Sequence, residues 1–286
     1  MKLTIAASAL LLAGLISTDA QAADWSDTSL NYRYGSKFAE PFNNQNISKH
    51  ILGLTDVRGF HSGVSYMNLD LLLSNSKDPR SLGSSDGATE AYLVYRYTFD
   101  LAKLLNKTIR FGAIKSMGPT LGFDLNSRND VAYNSRKQMI VTGPTLSWDV
   151  PAGHLNTSLL ILRESNAPSG PFPPISNVKG RYTYKTHPML AVNWSLPVGS
   201  LPLAFEGYAN FIGSKGKDEV GNQTGAETDI DMQLMWDVGR SMGGAKNTFR
   251  LGVEYQYWKN KFGNTSATAG RGSFAKTPMI RGEYHF

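Results

Sequence analysis

From residue 23 onward the chain alternates apolar and polar side chains, and it nowhere sustains the i, i+3, i+4, i+7 apolar spacing of an amphipathic helix. In 228–238, Thr228, Ile230, Met232, Leu234, Trp236 and Val238 share one face, opposite Asp229, Asp231, Gln233, Met235 and Asp237. In 249–258, Phe249, Leu251, Val253, Tyr255 and Tyr257 oppose Arg250, Glu254, Gln256 and Trp258. The same holds for Phe205 and Phe211 against Glu206, Tyr208 and Asn210, and for Leu93, Tyr95 and Tyr97 against Glu90, Tyr92 and Arg96. Met67, Leu69 and Leu71 likewise oppose Tyr66, Asn68 and Asp70. Two all-β architectures satisfy such a pattern. A soluble sandwich turns the apolar face into a core; a membrane barrel turns it into lipid and keeps the charged face in a wet lumen.

Connection lengths separate the two. The alternation predicts strands at 25–34, 48–57, 63–73, 88–99, 108–114, 138–148, 155–163, 185–196, 202–212, 227–238, 248–258 and 277–286. Links after the even-numbered strands are short (58–62, 100–107, 149–154, 197–201, 239–247). Those after the odd-numbered strands are longer (35–47, 74–87, 115–137, 164–184, 213–226, 259–276). Strict short–long alternation is the pattern of a transmembrane antiparallel β-barrel with short periplasmic turns and long extracellular loops. Greek-key links in a sandwich give no such alternation. The last strand ends on outward Tyr284 and Phe286, and a terminal Phe is an assembly signal of bacterial outer-membrane barrels. About 12 strands, an even number, bring both ends of the barrel to the periplasm.

The N-terminus sets the compartment. Lys2, the apolar run 3–16 and Ala20-Gln21-Ala22 read as a secretory signal at 1–22, too short to span a bilayer, leaving a barrel of 23–286. Export to the bacterial outer membrane argues against a nucleic-acid polymer as partner, despite a formal charge of +6. Trp25, Tyr34, Trp148, Trp194, Trp236 and Tyr257 fall near strand ends, as interfacial girdles require, and Trp258 has inward parity. Leaving aside Lys276 beside the last strand, the six long links hold fourteen bases and eight acids, an excess equal to the whole net charge. A cationic external rim complements lipopolysaccharide phosphates, and this is favoured over a funnel for anionic solutes.

Inward parity supplies candidate solute-binding residues: the aromatic faces Tyr66, Tyr92, Tyr208 and Trp258, and the charges Asp70, Glu90, Arg96, Arg250 and Glu254. For most of these charges a mutual ion-pair network filling the interior is the simpler expectation. Nothing suggests an enzyme or a cofactor. The chain has no Cys, which removes thiolate catalysis and thiolate metal sites. The histidines at 50, 61, 154, 187 and 285 are isolated, and Gly59-Phe60-His61-Ser62-Gly63 has the wrong spacing for a nucleophile elbow.

Three stretches carry a resemblance: Trp25 to Gly35 with Phe38-Ala39-Glu40-Pro41-Phe42, Leu69 to Ser74, and Gly87 to Arg96. They resemble the opening third of the Tsx-like nucleoside-specific channel family. The resemblance implies a monomeric twelve-stranded barrel that passes nucleosides by diffusion as its small-molecule solute. Two other functions stay open on the residues alone: a channel for small acidic sugars, and a closed structural barrel.

Overall fold

The computed structural model describes residues 22–286; the predicted signal segment lies almost wholly outside them. Thirteen strands form one sheet: β1 (Trp25–Glu40), β2 (Asn43–Phe60), β3 (Gly63–Ser74), β4 (Thr89–Phe99), β5 (Ile114–Asn129), β6 (Arg136–Trp148), β7 (His154–Asn166), β8 (Tyr182–Thr183), β9 (His187–Pro197), β10 (Leu203–Ile212), β11 (Glu227–Asp237), β12 (Phe249–Lys259) and β13 (Phe274–His285). Every neighbour is antiparallel. β13 pairs with β1 from Ser29↔His285 to Gly35↔Met279, which closes the ring, and the two-residue β8 only laps the end of β7. The result is a closed barrel of twelve staves.

The burial pattern is inverted relative to a soluble domain. The outward face presents bare aliphatics on stave after stave, with Ile140 64%, Val253 60%, Ile280 60%, Leu159 58% and Leu234 41% exposed. The inward face holds charge: Arg33, Glu90, Asp124, Glu254 and Glu283 are all buried. Water would penalise such an apolar band, whereas lipid accepts it, and closure leaves no unpaired sheet edge in hydrocarbon. No helix among the described residues is long and apolar enough to cross a membrane. The chain is an outer-membrane β-barrel.

Aromatic side chains mark the rims of the band. Trp194 stacks near Phe205 with ring centroids 5.5 Å apart, Tyr257 meets Phe274 at 5.1 Å, and Tyr34 meets His50 at 4.9 Å. Trp25 departs from the girdle expectation. It shares the inward parity of Asn31 and Arg33 and covers Gly59, where an added Cβ would lie 2.1 Å from its indole nitrogen.

The structure corrects the strand map in two places. The predicted strand 108–114 belongs instead to a fourteen-residue periplasmic link, 100–113, whose helical turn starts where Asp100 accepts the backbone N–H of Ala102 at 3.0 Å. The predicted loop 115–137 is mostly β5. Its outward Leu121, Phe123 and Leu125 alternate with inward Thr120, Asp124, Asn126 and Arg128, a pattern hidden by Gly118, Pro119 and Gly122. Those glycines serve packing: a Cβ at Gly118 would stand 1.9 Å from the Phe99 carbonyl oxygen, and one at Gly122 would stand 2.6 Å from Cδ of Arg96. At the first hairpin the predicted loop 35–47 shrinks to Pro41-Phe42, with Phe42 at φ +65°. Link lengths therefore do not alternate strictly. The longest connection, 167–186, is external as expected, but 130–135 is short and 100–113 is long.

Candidate functional site: the barrel lumen

All nine candidate residues lie on the inward face. Register pairs place Asp70 beside Tyr92, Tyr66 beside Arg96, Asp229 beside Trp258, Gln233 beside Glu254, and Asp237 beside Arg250. Tyr208 pairs with Asp231. The partners that fix Glu90, Tyr92 and Arg96 come largely from β5, whose inward residues fall in a predicted loop.

Arg96 lies six residues from Glu90 on the same inward face but does not pair with it. Instead its Nη1 binds the Asp124 carboxylate and donates to the carbonyls of Tyr95 (2.9 Å) and Phe123 (3.1 Å). Glu90 turns to Arg128 at 3.2 Å and accepts from Asn126 at 2.5 Å. Asp70 pairs with Arg33. Arg281 joins Glu254 (2.8 Å) to Glu283 (2.6 Å), and Arg250 joins Glu283 (3.3 Å) to Glu206 (2.7 Å). The expected ion-pair network is present and lines the inner wall.

Four aromatics differ in what they leave free. Trp258 is committed: Nε1 donates to Glu227 at 2.5 Å, the Lys261 ammonium sits 4.8 Å from the ring centroid, and Phe262 packs edge-on. Tyr92 donates to Asp124 at 3.2 Å, and Tyr208 donates to Asp229 at 3.3 Å. Tyr66 makes no side-chain hydrogen bond among the described residues and is 39% exposed although it points inward, so its ring borders open lumen. Tyr66 on β3 and Tyr208 on β10 stand on opposite staves, six apart either way round the ring, and lie within electrostatic range of one another.

At the external end the loops fold inward. Glu40 receives Lys49 (2.5 Å), Lys261 (2.9 Å) and Arg128 (3.2 Å), while Arg128 also holds Asp78 and Asp130, each at 2.7 Å. Burial holds the Lys261 ammonium below the ordinary lysine range. On the far side of the mouth Lys215 binds Glu164 at 2.7 Å, and Glu219 accepts from Tyr133 and from Tyr184, the latter at 2.6 Å. Burial beside Glu219 pushes both phenols above the usual tyrosine range. Several bases assigned to an external rim are thus spent inside the mouth. Lys37, Lys77, Arg80, Arg136, Lys179 and Arg181 remain exposed at the external end. Lys115 opens β5 at the periplasmic end.

Two apolar patches on the inner wall were missed. Phe38, Ile47, Ile51 and Met279 form one, and Val141, Leu160, Leu162 and Met189 the other. They occupy opposite sides of the ring, near β1–β2 and near β6–β7. The available signal was apolar residues on both parities at once, as in Leu71-Leu72-Leu73 and Leu159 to Leu162. At the periplasmic mouth a cavity of about 390 Å³ is bordered by Asp27, Glu206, Asp237, Arg250 and His285.

No protein-family model matches the chain, and no curated protein sequence does. Among solved structures it is similar to the KdgM porin, with 10% identity over 90% of this chain and 99% of that one and a TM-score of 0.42. It is also similar to the NanC porin, with 11% identity over 92% and 100% and a TM-score of 0.45. A third likeness is to the translocator domain of the autotransporter NalP from Neisseria meningitidis, with 13% identity over 99% and 97% and a TM-score of 0.44.

Proposed function

We propose that the barrel is an outer-membrane diffusion channel for small, flat, polar solutes, with nucleosides as the class its lumen fits. The observation that carries this reading is the pair Tyr66 and Tyr208 on opposite staves, flanked by Asp70, Arg33 and Arg96 on one side and Asp229 and Asp231 on the other. A nucleoside offers a π-face to the rings, and its sugar and base edges offer donors and acceptors to charges of both signs. The resemblance of 25–35 with 38–42, of 69–74 and of 87–96 to the Tsx-like nucleoside-specific channel family supports the same choice. In this reading the protein works as a monomer in outer-membrane lipid, with its exposed external bases against lipopolysaccharide phosphates.

The test is single-channel current in a planar bilayer, titrated with adenosine to half-block. Base–aromatic stacking is worth about 1–3 kcal/mol, so Tyr66→Ala or Tyr208→Ala raises the half-blocking concentration about tenfold or more. Trp258→Ala has a smaller effect, because that ring already carries Lys261 and Phe262. If neither tyrosine matters while Arg96→Ala does, with anion-selective current, the acidic-sugar reading replaces this one. A barrel that never conducts is a structural one.

A further inference from the structure

Most buried carboxylates in this lumen are matched by bases, and the unmatched ones lie on β11, where Asp237 accepts the backbone N–H groups of Arg240 and Asn247 instead, each at 2.9 Å. Glu40, Glu90, Asp124, Glu164, Glu254 and Glu283 each have a Lys or Arg nitrogen within 4.0 Å. On β11, Glu227, Asp229 and Asp231 occupy consecutive inward positions and are 8%, 8% and 7% exposed. None has a basic nitrogen of a described residue within that distance. Glu227 is satisfied otherwise, by the Trp258 indole at 2.5 Å and the Phe262 backbone N–H at 3.2 Å.

Asp229 and Asp231 are not. Asp229 accepts one long bond from Tyr208, and its Oδ1 is buried with no hydrogen-bond partner. Asp231 has no side-chain hydrogen bond to any described residue. On the adjoining stave Glu254 adds a second orphan: its side chain is 0% exposed, its Oε1 accepts no hydrogen bond, and Arg33 Nη1 approaches only to 3.5 Å. The bases within electrostatic range are Arg33 and Arg281 for Asp231, and Lys261 for Asp229. Each is committed elsewhere: Arg33 to Asp70, Arg281 to Glu254 and Glu283, Lys261 to Glu40. An uncompensated buried carboxylate is costly, so it either takes up a proton or is matched by positive charge supplied from outside the chain.

We propose that Asp229 and Asp231, with the free oxygen of Glu254, form a lumen subsite for a protonated amino or guanidinium group on a permeating solute. No cluster of three carboxylate or imidazole groups among the described residues converges tightly enough to hold a metal ion. A spread organic cation with several N–H donors suits orphan acceptors on two staves better than a point ion does. The Tyr208 side chain, bonded to Asp229, adds an aromatic face at the edge of the subsite. The subsite shares Tyr208, Asp229 and Asp231 with the nucleoside reading but does not rest on it, since nucleosides such as adenosine carry no positive charge. It also makes the inner wall cation-preferring in a chain whose formal charge is +6.

The folded barrel in detergent micelles is titrated with methylguanidinium and with its neutral isostere methylurea, binding being read by saturation-transfer NMR. The wild type binds methylguanidinium at least tenfold more tightly than methylurea, and the double variant D229N/D231N loses the preference. Asp218→Asn, in the external link 213–226, keeps it. Should the double variant fail to fold, Asp231→Asn alone weakens methylguanidinium severalfold, since that side chain bonds to no described residue. Equal binding of both probes by the wild type overturns the proposal, as does a preference that survives these substitutions. Adenosine is titrated in the same samples: its binding bears on the proposed channel function and leaves the cation result standing or falling by itself.

Discussion

A single parity step decides the environment of each strand residue. Leu234 faces lipid and is 41% exposed, while its neighbour Gln233 faces the lumen and donates to Glu206 at 3.1 Å. An arginine costs roughly 2–4 kcal/mol at the bilayer midplane on the lipid face and far less in a wet lumen. Leu234→Arg therefore abolishes assembly, whereas Gln233→Arg, placed beside Glu206 and Glu254, yields folded barrel. The heat-dependent mobility shift on gels measures the two yields, and equal yields would overturn the facing of β11.

At the scale of elements, the hairpins whose two faces differ sharply were legible in the sequence, and those whose faces do not were not. β11 and β12 alternate cleanly, and their predicted bounds match the observed strands within a residue. β5 was displaced because Gly118, Pro119 and Gly122 read as loop, although each removes a side chain where a neighbouring carbonyl or Arg96 needs the space. The inner apolar patches stayed hidden for a related reason. Period-two reading assigns Ile47, Ile51 and Leu162 to lipid or lumen by contrast with neighbours, and there the contrast is weak. Pairing across strands, such as Arg128 with Asp78, carries no local signature at all. The revised link map makes its own prediction. An epitope inserted in 167–186 is reachable by antibody on intact cells, while epitopes in 100–113 and 198–202 are reachable only after the outer membrane is opened. Surface labelling of 100–113 would reverse the orientation.

Across the whole molecule, Glu40 ties together segments far apart in the chain: the first hairpin, the end of β5 through Arg128, and the link between β12 and β13 through Lys261. Removing one partner from a buried charge network costs about 3–5 kcal/mol, because the remaining charges stay desolvated. Glu40→Gln leaves Lys49, Arg128 and Lys261 with fewer acceptors, so it lowers the urea midpoint of unfolding in micelles markedly. It also loosens the external mouth, which limited proteolysis reads as new cleavage within 260–273. An unchanged midpoint and digest would show that the network is dispensable.

The seam between β1 and β13 has a consequence for how the polypeptide reaches this state. The imidazole of His285 contacts Asp27 across 258 positions of sequence, and the backbone N–H of Phe286 donates to the Thr28 carbonyl at 2.9 Å. Ribosomal synthesis delivers β1 first and its seam partner last. Until then two bare edges await company, each able to recruit a stranger. Pairing of such remote segments is slow by nature. The nascent barrel thus spends its journey as an unfinished ribbon, and an escort that masks those edges is as much a requirement of this topology as the lipid that finally receives it.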